Sequence, residues 1–455
     1  MGQSHTEPCR VKLAWFTPFP PEKSAIAEYS WTIVEELQKS YLADLWISVT
    51  DDADTRYIED QYGRKCNIIF IEQADKILQR LEQYDAVIYN MGNNMPFHRA
   101  IFDVSQRHPG IVILHDYVLH HFFAAYYLNQ QKRDSYVRAM ETAHGENGKK
   151  VANDILSGAR KSIWNTDEVI DYPLNYGVIE KALGVIVHSN FVKAKLERDS
   201  DVLVRQIDFP APPAAPSAGN VAEARKKVEA AVSLPPDGIL LLTFGEIIPN
   251  KRIDAVLKVL GENRDLAARV RYVIIGRERY DIGAVIDRYG LQGSVMRIGY
   301  QPRDVLDDFV IAADLCINLR YPTMGESSWS LLQAMFAGKP SMVTRVGWYD
   351  ELPDDCVVKI DPDSGEELSH QLRRLCEDGR LRNEIGGRAR AYAMKTYSTE
   401  LYCKALIEFV GTTTRLKVAA DLIDAVSHEL SLMGVGADSG LVDGLSGRLF
   451  EILKK

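Results

Sequence analysis

Short runs of β-rich residues, apolar on consecutive rather than alternating positions, constrain this chain most. In the first half they are VKLAWF (11–16), DLWISV (44–49), NIIFI (67–71), AVIYNM (86–91), IVILH (111–115) and GVIVHS (184–189). In the second half they are ILLLTFG (239–245), VRYVIIG (270–276), VMRIGY (295–300), DLCINL (314–319), PSMVTR (340–345) and CVVKI (356–360). A strand apolar on both faces must be covered on both, which calls for a parallel sheet between layers of helices. Amphipathic stretches fill the gaps. One spans about Ser24 to Lys39, and the region from Asp116 to Lys181 reads as several helices. The expected fold class is therefore α/β, with doubly wound, Rossmann-like units.

The two series are separated by DFPAPPAAPSAG at 208–219, where Pro210, Pro212, Pro213 and Pro216 allow neither a helix nor a central strand. This predicts a first domain over 1–207, a Pro/Ala-rich linker over 208–219 and a second domain over 220–397. Helices then follow over 398–455, with a tail broken by Gly434, Gly436, Gly440, Gly444 and Gly447. At ~100–200 residues per domain, 455 residues suit this division. Two such domains face each other across a cleft, the default place for a ligand. Apolar residues at 46% and charged residues at 26% exclude a disordered or fibrous chain. A net charge of −9 argues against a nucleic-acid partner.

No run is long enough to span a bilayer, and MGQSHTEPCR lacks the apolar core of a signal peptide. Its Met-Gly-x-x-x-Thr start is only a weak match to a myristoylation pattern. The expected location is cytoplasmic, with contact at the inner membrane face left open. Cys9, Cys66, Cys316, Cys356, Cys376 and Cys403 lie far apart without a Cys-x-x-Cys pair, and read as free thiols in a reducing compartment.

Open parallel sheets bind ligands at the C-terminal ends of their strands. After the first strand, TPFPPEKSAIAEYS (17–30) offers Ser24 as a helix cap, although an ordinary βα turn fits equally. In GEIIPNKRID (245–254), Gly245 permits a sharp turn. Lys251 and Arg252 stand near the start of the next helix, where cations oppose the helix dipole unless an anion lies between them. The most informative stretch is LRYPTMGESSWSLLQAMFAGKP (319–340). It predicts a loop, then a helix opening with Glu326-Ser327-Ser328 and closed by Gly338-Lys339-Pro340. Glu326 and Gln333, seven apart, would share one face of it, and Ser327 and Ser328 would leave their N–H groups for an acceptor. His115 ends its strand, whereas His120 and His121 read as packing. The triplets Asp52/Asp54, Asp199/Asp201 and Asp361/Asp363 read as solvated turns outside the cleft. No P-loop occurs, and no Gly-x-Gly-x-x-Gly follows the first strand.

Taken in order, these segments resemble the retaining nucleotide-sugar glycosyltransferases of the GT-B fold, family four, from about Val11 to Phe409. TPFPPEKSAIAEYS looks like the family's first acceptor-side loop, with Ser24, Ala25 and Glu28. LHDYVLHH looks like its strand-end histidine, and GEIIPNKRID like its phosphate-binding segment. GESSWSLLQAMFAGKP with TRVGWYDELPDD looks like its Glu-x₇-Glu helix and the loop after it. The resemblance implies an acceptor-side first domain, a donor-binding second domain and C-terminal helices crossing back to the first. It implies a nucleotide-diphosphate sugar donor (UDP-, GDP- or ADP-linked), a hydroxyl acceptor, a role in glycan or glycolipid assembly, and neither metal nor cofactor. Lys251 with Arg252 would neutralise the diphosphate, with Gly245 in the same loop. Glu326 would hold the sugar hydroxyls. The N–H groups of Ser327, Ser328 and Trp329 would meet phosphate or sugar, and His115 would lie near the reacting carbon.

This chain departs from the pattern at Gln333, where the second Glu is usual, and at Glu246, where an Arg is frequent. It departs again at Ala25 in place of Gly, and at Trp329 in place of a small residue. The departures keep two further readings open. One is a non-catalytic binding or scaffold subunit of the same shape; the other is a sugar-nucleotide epimerase or phosphorylase.

Overall fold

The structure, a computed structural model, describes residues 11–22, 24–48, 52–71, 74–210, 212 and 221–432. Most of the Pro/Ala-rich linker, Cys9 and the glycine-broken tail lie outside the described residues. The first sheet has seven strands in the order β3-β2-β1-β4-β5-β6-β7. They are β1 (Lys12–Phe16), β2 (Leu42–Ile47), β3 (Ile68–Phe70), β4 (Ala86–Met91), β5 (Ile111–Leu114), β6 (Gly184–Val187) and β7 (Val204–Gln206). The second has six, in the order β10-β9-β8-β11-β12-β13. They are β8 (Ile239–Phe244), β9 (Val270–Ile275), β10 (Val295–Ile298), β11 (Leu315–Asn318), β12 (Ser341–Thr344) and β13 (Val358–Ile360). Every pairing is parallel. Each apolar run became a strand because helices cover both faces.

β7 is the strand that the pattern missed. It lies at the sheet edge and carries exposed Arg205, so continuous apolar character is not demanded of it. The region 116–181 is helical as expected, with helices His120–Leu128 and Arg133–Leu156. Cys66, Cys316, Cys356, Cys376 and Cys403 are buried free thiols.

Alternate residues of β1 serve two cores, as the two-residue period of a strand requires. Ala14 and Phe16 pack with Trp46, Tyr89 and Phe122 on one face. Leu13 and Trp15 join a second core that runs on through Trp329, Leu332 and Trp348 of the second domain to Tyr402 and Leu406 of the last helix, Thr399–Leu432. That helix returns to the first domain. The hydroxyls of Tyr29 and Tyr402 are hydrogen-bonded, and Gly184 leaves room for Phe409 and Thr413, whose side chains would lie 2.7 and 2.9 Å from a Cβ there. Among the described residues no helix is long and apolar enough to cross a membrane.

Candidate active site

In each sheet the strand order reverses direction at one place: between β1 and β4, and between β8 and β11. Loops leaving such a switch point diverge and open a crevice at the carboxyl ends. The loops after β8 and β11 carry Lys251 and the 319–328 segment; those after β1, β4 and β5 face them.

Gly245 follows β8 with φ +92°, a conformation that side chains disfavour. Its missing Cβ matters, because the Lys251 amine would stand 3.0 Å from one. Lys251 is 4% exposed, and its Nζ donates to the Phe244 carbonyl. Burial first, and the nearby Arg320 charge second, hold this amine well below its ordinary pKa. Arg252 goes elsewhere. Its Nη2 donates to the Pro362 carbonyl at 2.8 Å, and its guanidinium lies over the Tyr321 ring. This places the Asp361/Asp363 triplet beside the loop after β8, not remote from it. Glu246 points to Arg279, 2.5 Å away.

The helix expected at Glu326 begins later, over Trp329–Phe336, with Ser328 as its cap accepting from the Leu331 N–H at 3.2 Å. Glu326 therefore sits in the preceding loop and does not share a helical face with Gln333. Only residues 327–332 separate the two, one fewer than Glu-x₇-Glu requires. The Glu326 carboxylate accepts from the Met324 N–H at 2.7 Å and the Thr323 hydroxyl at 3.2 Å, and pairs with Arg320 Nε at 3.3 Å. Arg320 was not singled out in the sequence; a pair with Glu326 six positions on has no regular spacing, and Thr344, which accepts from its N–H, comes from another strand. Gln333 is buried within the helix. The capped start leaves the amides of Trp329 and Ser330 without intrahelical acceptors.

Across the crevice, His115 follows β5 and is 8% exposed. Asn90 Nδ2 donates to the Phe16 carbonyl, so Asn90 Oδ1 accepts from His115 Nε2 at 3.0 Å. That leaves Nδ1 of His115 as its acceptor nitrogen. Burial, followed by His188 and His98, holds this imidazole well below its usual pKa. Asp116 accepts from the Asn93 N–H at 2.8 Å, and its pKa is pushed up to about 7 by burial and then by the Glu326 charge. His120 is held between the Tyr172 carbonyl and the Tyr136 hydroxyl, and His121 meets Asn93, in packing roles.

The domains touch around these groups. Val118 N–H donates to the Met324 carbonyl at 3.0 Å, and Ser327 Oγ to the His188 carbonyl at 3.3 Å. Gly325, at φ +79°, lets its loop lie on Tyr117, whose Cβ would be 2.5 Å from a side chain there. Ser24 caps helix Ala25–Leu37 as expected, accepting from Ile26 N–H at 3.2 Å. Glu28 lies inside that helix and not in the loop. Its Oε2 accepts from Trp329 Nε1 at 3.1 Å and pairs with Arg303 at 3.2 Å. The bulky residue at 329 is thus a strut between the domains.

Two doubly wound domains meeting at their switch points define the GT-B class of architecture. Residues 224–392, within the second domain, match the family described as glycosyl transferases group 1. A curated relative, the sucrose synthase of Denitrovibrio acetiphilus, is 25% identical over 197 residues, 38% of this chain and 25% of its own length. The chain thus spans about a quarter of that relative's length. Among solved structures, the sucrose-phosphate synthase of Thermosynechococcus elongatus has 16% identity and TM-score 0.65, covering 90% of this chain and 100% of its own. HepE of Anabaena in complex with UDP has 16% identity and TM-score 0.60, covering 88% and 100%. A structure of the same protein holds UDP-glucose. At such identities these likenesses establish the fold alone.

Proposed function

We propose that this protein is a glycosyltransferase that moves a hexose from a nucleoside-diphosphate sugar to a hydroxyl acceptor with retention of anomeric configuration. The observation that carries the reading is the convergence of Lys251, Arg320 and Glu326 at the switch point of the second sheet, opposite His115 and Asp116. The UDP and UDP-glucose in HepE make UDP-glucose the first donor to test.

In this reading the diphosphate lies against the Lys251 amine and the amides of Trp329 and Ser330. Breaking the sugar–phosphate bond places a further negative charge on the leaving oxygen, and fixed cations and helix amides stabilise it without reorganising. That oxygen takes the acceptor's proton while the acceptor attacks from the same face, so configuration is retained. Glu326, already an acceptor for an N–H and a hydroxyl, exchanges these for sugar hydroxyls. Neutral His115 offers Nδ1 towards the sugar. The charge on the diphosphate is met by side chains, so EDTA leaves turnover intact. The boundaries near 207 and 220, a cytoplasmic setting and a glycan or glycolipid acceptor belong to the same proposal.

The test is release of free nucleoside diphosphate from UDP-, GDP- and ADP-sugars, with and without a panel of hydroxyl acceptors. Acceptor-dependent release with a retained linkage is the expected outcome. Binding without turnover on any acceptor identifies a scaffold, and an epimerised donor identifies an epimerase.

A further inference from the structure

We propose that Arg320 is a second diphosphate-binding cation of this site, held on Glu326 until the anion arrives. The inference rests on the nucleotide-sugar reading and assigns a residue to it.

Arg320 follows β11, one of the two strands that flank the switch point, and is 9% exposed. Its backbone N–H donates to Thr344 Oγ1 at 2.8 Å, and Nη1 donates to the Leu319 carbonyl at 3.1 Å. Nε lies 3.3 Å from Glu326 Oε1. The head group is therefore oriented by the end of its own strand and by one carboxylate from the following loop.

The next residue's N–H, that of Tyr321, donates to the Asn250 carbonyl at 2.7 Å, which lays this loop against the one carrying the buried Lys251, whose Nζ donates to the uncharged Phe244 carbonyl. Two buried cations in adjoining loops repel; Glu326 is paired with Arg320, and Glu246, the acid that favours the charge on Lys251, is itself paired with Arg279. Another acid near Glu326, Asp116, is pushed towards its protonated form by burial first and by the Glu326 charge second. A pair of cations with this deficit is a site for an anion of more than one charge. Two other arginines of the neighbouring loops are committed: Arg252 to Pro362 and Tyr321, and Arg279 to Glu246.

A diphosphate outbids a single carboxylate for a planar guanidinium fork, which binds phosphate oxygens in pairs. When Arg320 turns to the phosphates, Glu326 is released at the moment a sugar arrives beside it. One ion pair thus couples phosphate capture to sugar capture, and keeps Glu326 from standing uncompensated in the empty site.

The experiment measures binding of UDP and of inorganic pyrophosphate to the full chain by calorimetry, for wild type, Arg320→Gln, Arg320→Lys and Glu326→Gln. Losing a charge-assisted pair should weaken both ligands about 10- to 100-fold in Arg320→Gln. Arg320→Lys should recover part of that loss. Glu326→Gln should bind both at least as tightly as wild type, because it frees the guanidinium, and it needs no change at Arg320 to be informative. Unchanged affinities in Arg320→Gln overturn the proposal while leaving the nucleotide-sugar reading standing. So does an equal loss in Glu326→Gln, which would make the pair merely structural. Pyrophosphate binding that depends on Arg320, with no affinity for UDP, GDP or ADP, supports the proposal and removes the nucleotide reading. A wild type that binds neither anion overturns both.

Discussion

Lys251 and Glu326 are restrained in different ways, and substitutions should separate them. Glu326 lies close enough to Asp116 of the opposite domain for its charge to be felt there, so Glu326→Ala should abolish turnover while UDP affinity largely survives; unchanged kcat would remove it from the site. Lys251 lies under the phosphates in the proposed pose, and Lys251→Ala should cost at least about 10²-fold in kcat, in EDTA as in Mg²⁺. If EDTA stops turnover, Mg²⁺ restores it and Glu246→Gln does the same damage, then Glu246 is a metal ligand. Gly245 and Lys251 were legible in the sequence because a glycine after a strand and a lysine before a helix have local signatures. Arg320 was not, since its meaning comes from Lys251, 69 positions earlier, and from a carboxylate six positions later. Glu28 reads from the sequence as part of the loop after β1; it lies inside helix Ala25–Leu37, and its bond to Trp329 needed the fold.

At the scale of elements, continuous apolar character located the strands because burial on both faces leaves little freedom of composition. It failed at β7, whose outer edge is open, and at the start of helix Trp329–Phe336. There Glu326, Ser327 and Ser328 all suit a first turn, and the geometry that decides among them is the left-handed Gly325 pressed on Tyr117. Two substitutions test this account. Ser328→Ala should cost about 1 kcal/mol of stability through the lost cap. Gly325→Ala should do more than strain one residue. Its methyl group would meet the Tyr117 Cβ of the other domain, so the loop that carries Glu326 must move. Donor turnover should fall more than the melting temperature does. A variant that melts earlier but turns over normally would show that the contact is packing alone.

At the scale of the whole molecule, one core joins the first sheet, the helix Trp329–Phe336 and the last helix, so the domains should unfold together and acid should act on both at once. The direction follows from which buried groups titrate. Burial pushes His98, His120 and His188 down to about 4, and His115 well below its usual value. In the unfolded chain these imidazoles bind protons near pH 6.5, so between about pH 6.5 and 4 the unfolded state holds more protons and stability falls as pH falls. Each imidazole held at about 4 should cost the fold about 3 kcal/mol by pH 4. Asp116 and Glu22, pushed up to about 7, act in the opposite sense. The folded state keeps their protons between about pH 4 and 7, so their contribution is largest in acid and is lost as pH rises. The histidines outnumber these two carboxylates, and the net slope should follow the histidines. The melting temperature should therefore fall steadily from pH 7 to pH 4.5. Asp116→Asn, which removes one opposing group, should make that fall steeper. A flat or rising profile would mean that the imidazoles are solvated enough to titrate normally, and that the sealed contact between the two domains opens in solution.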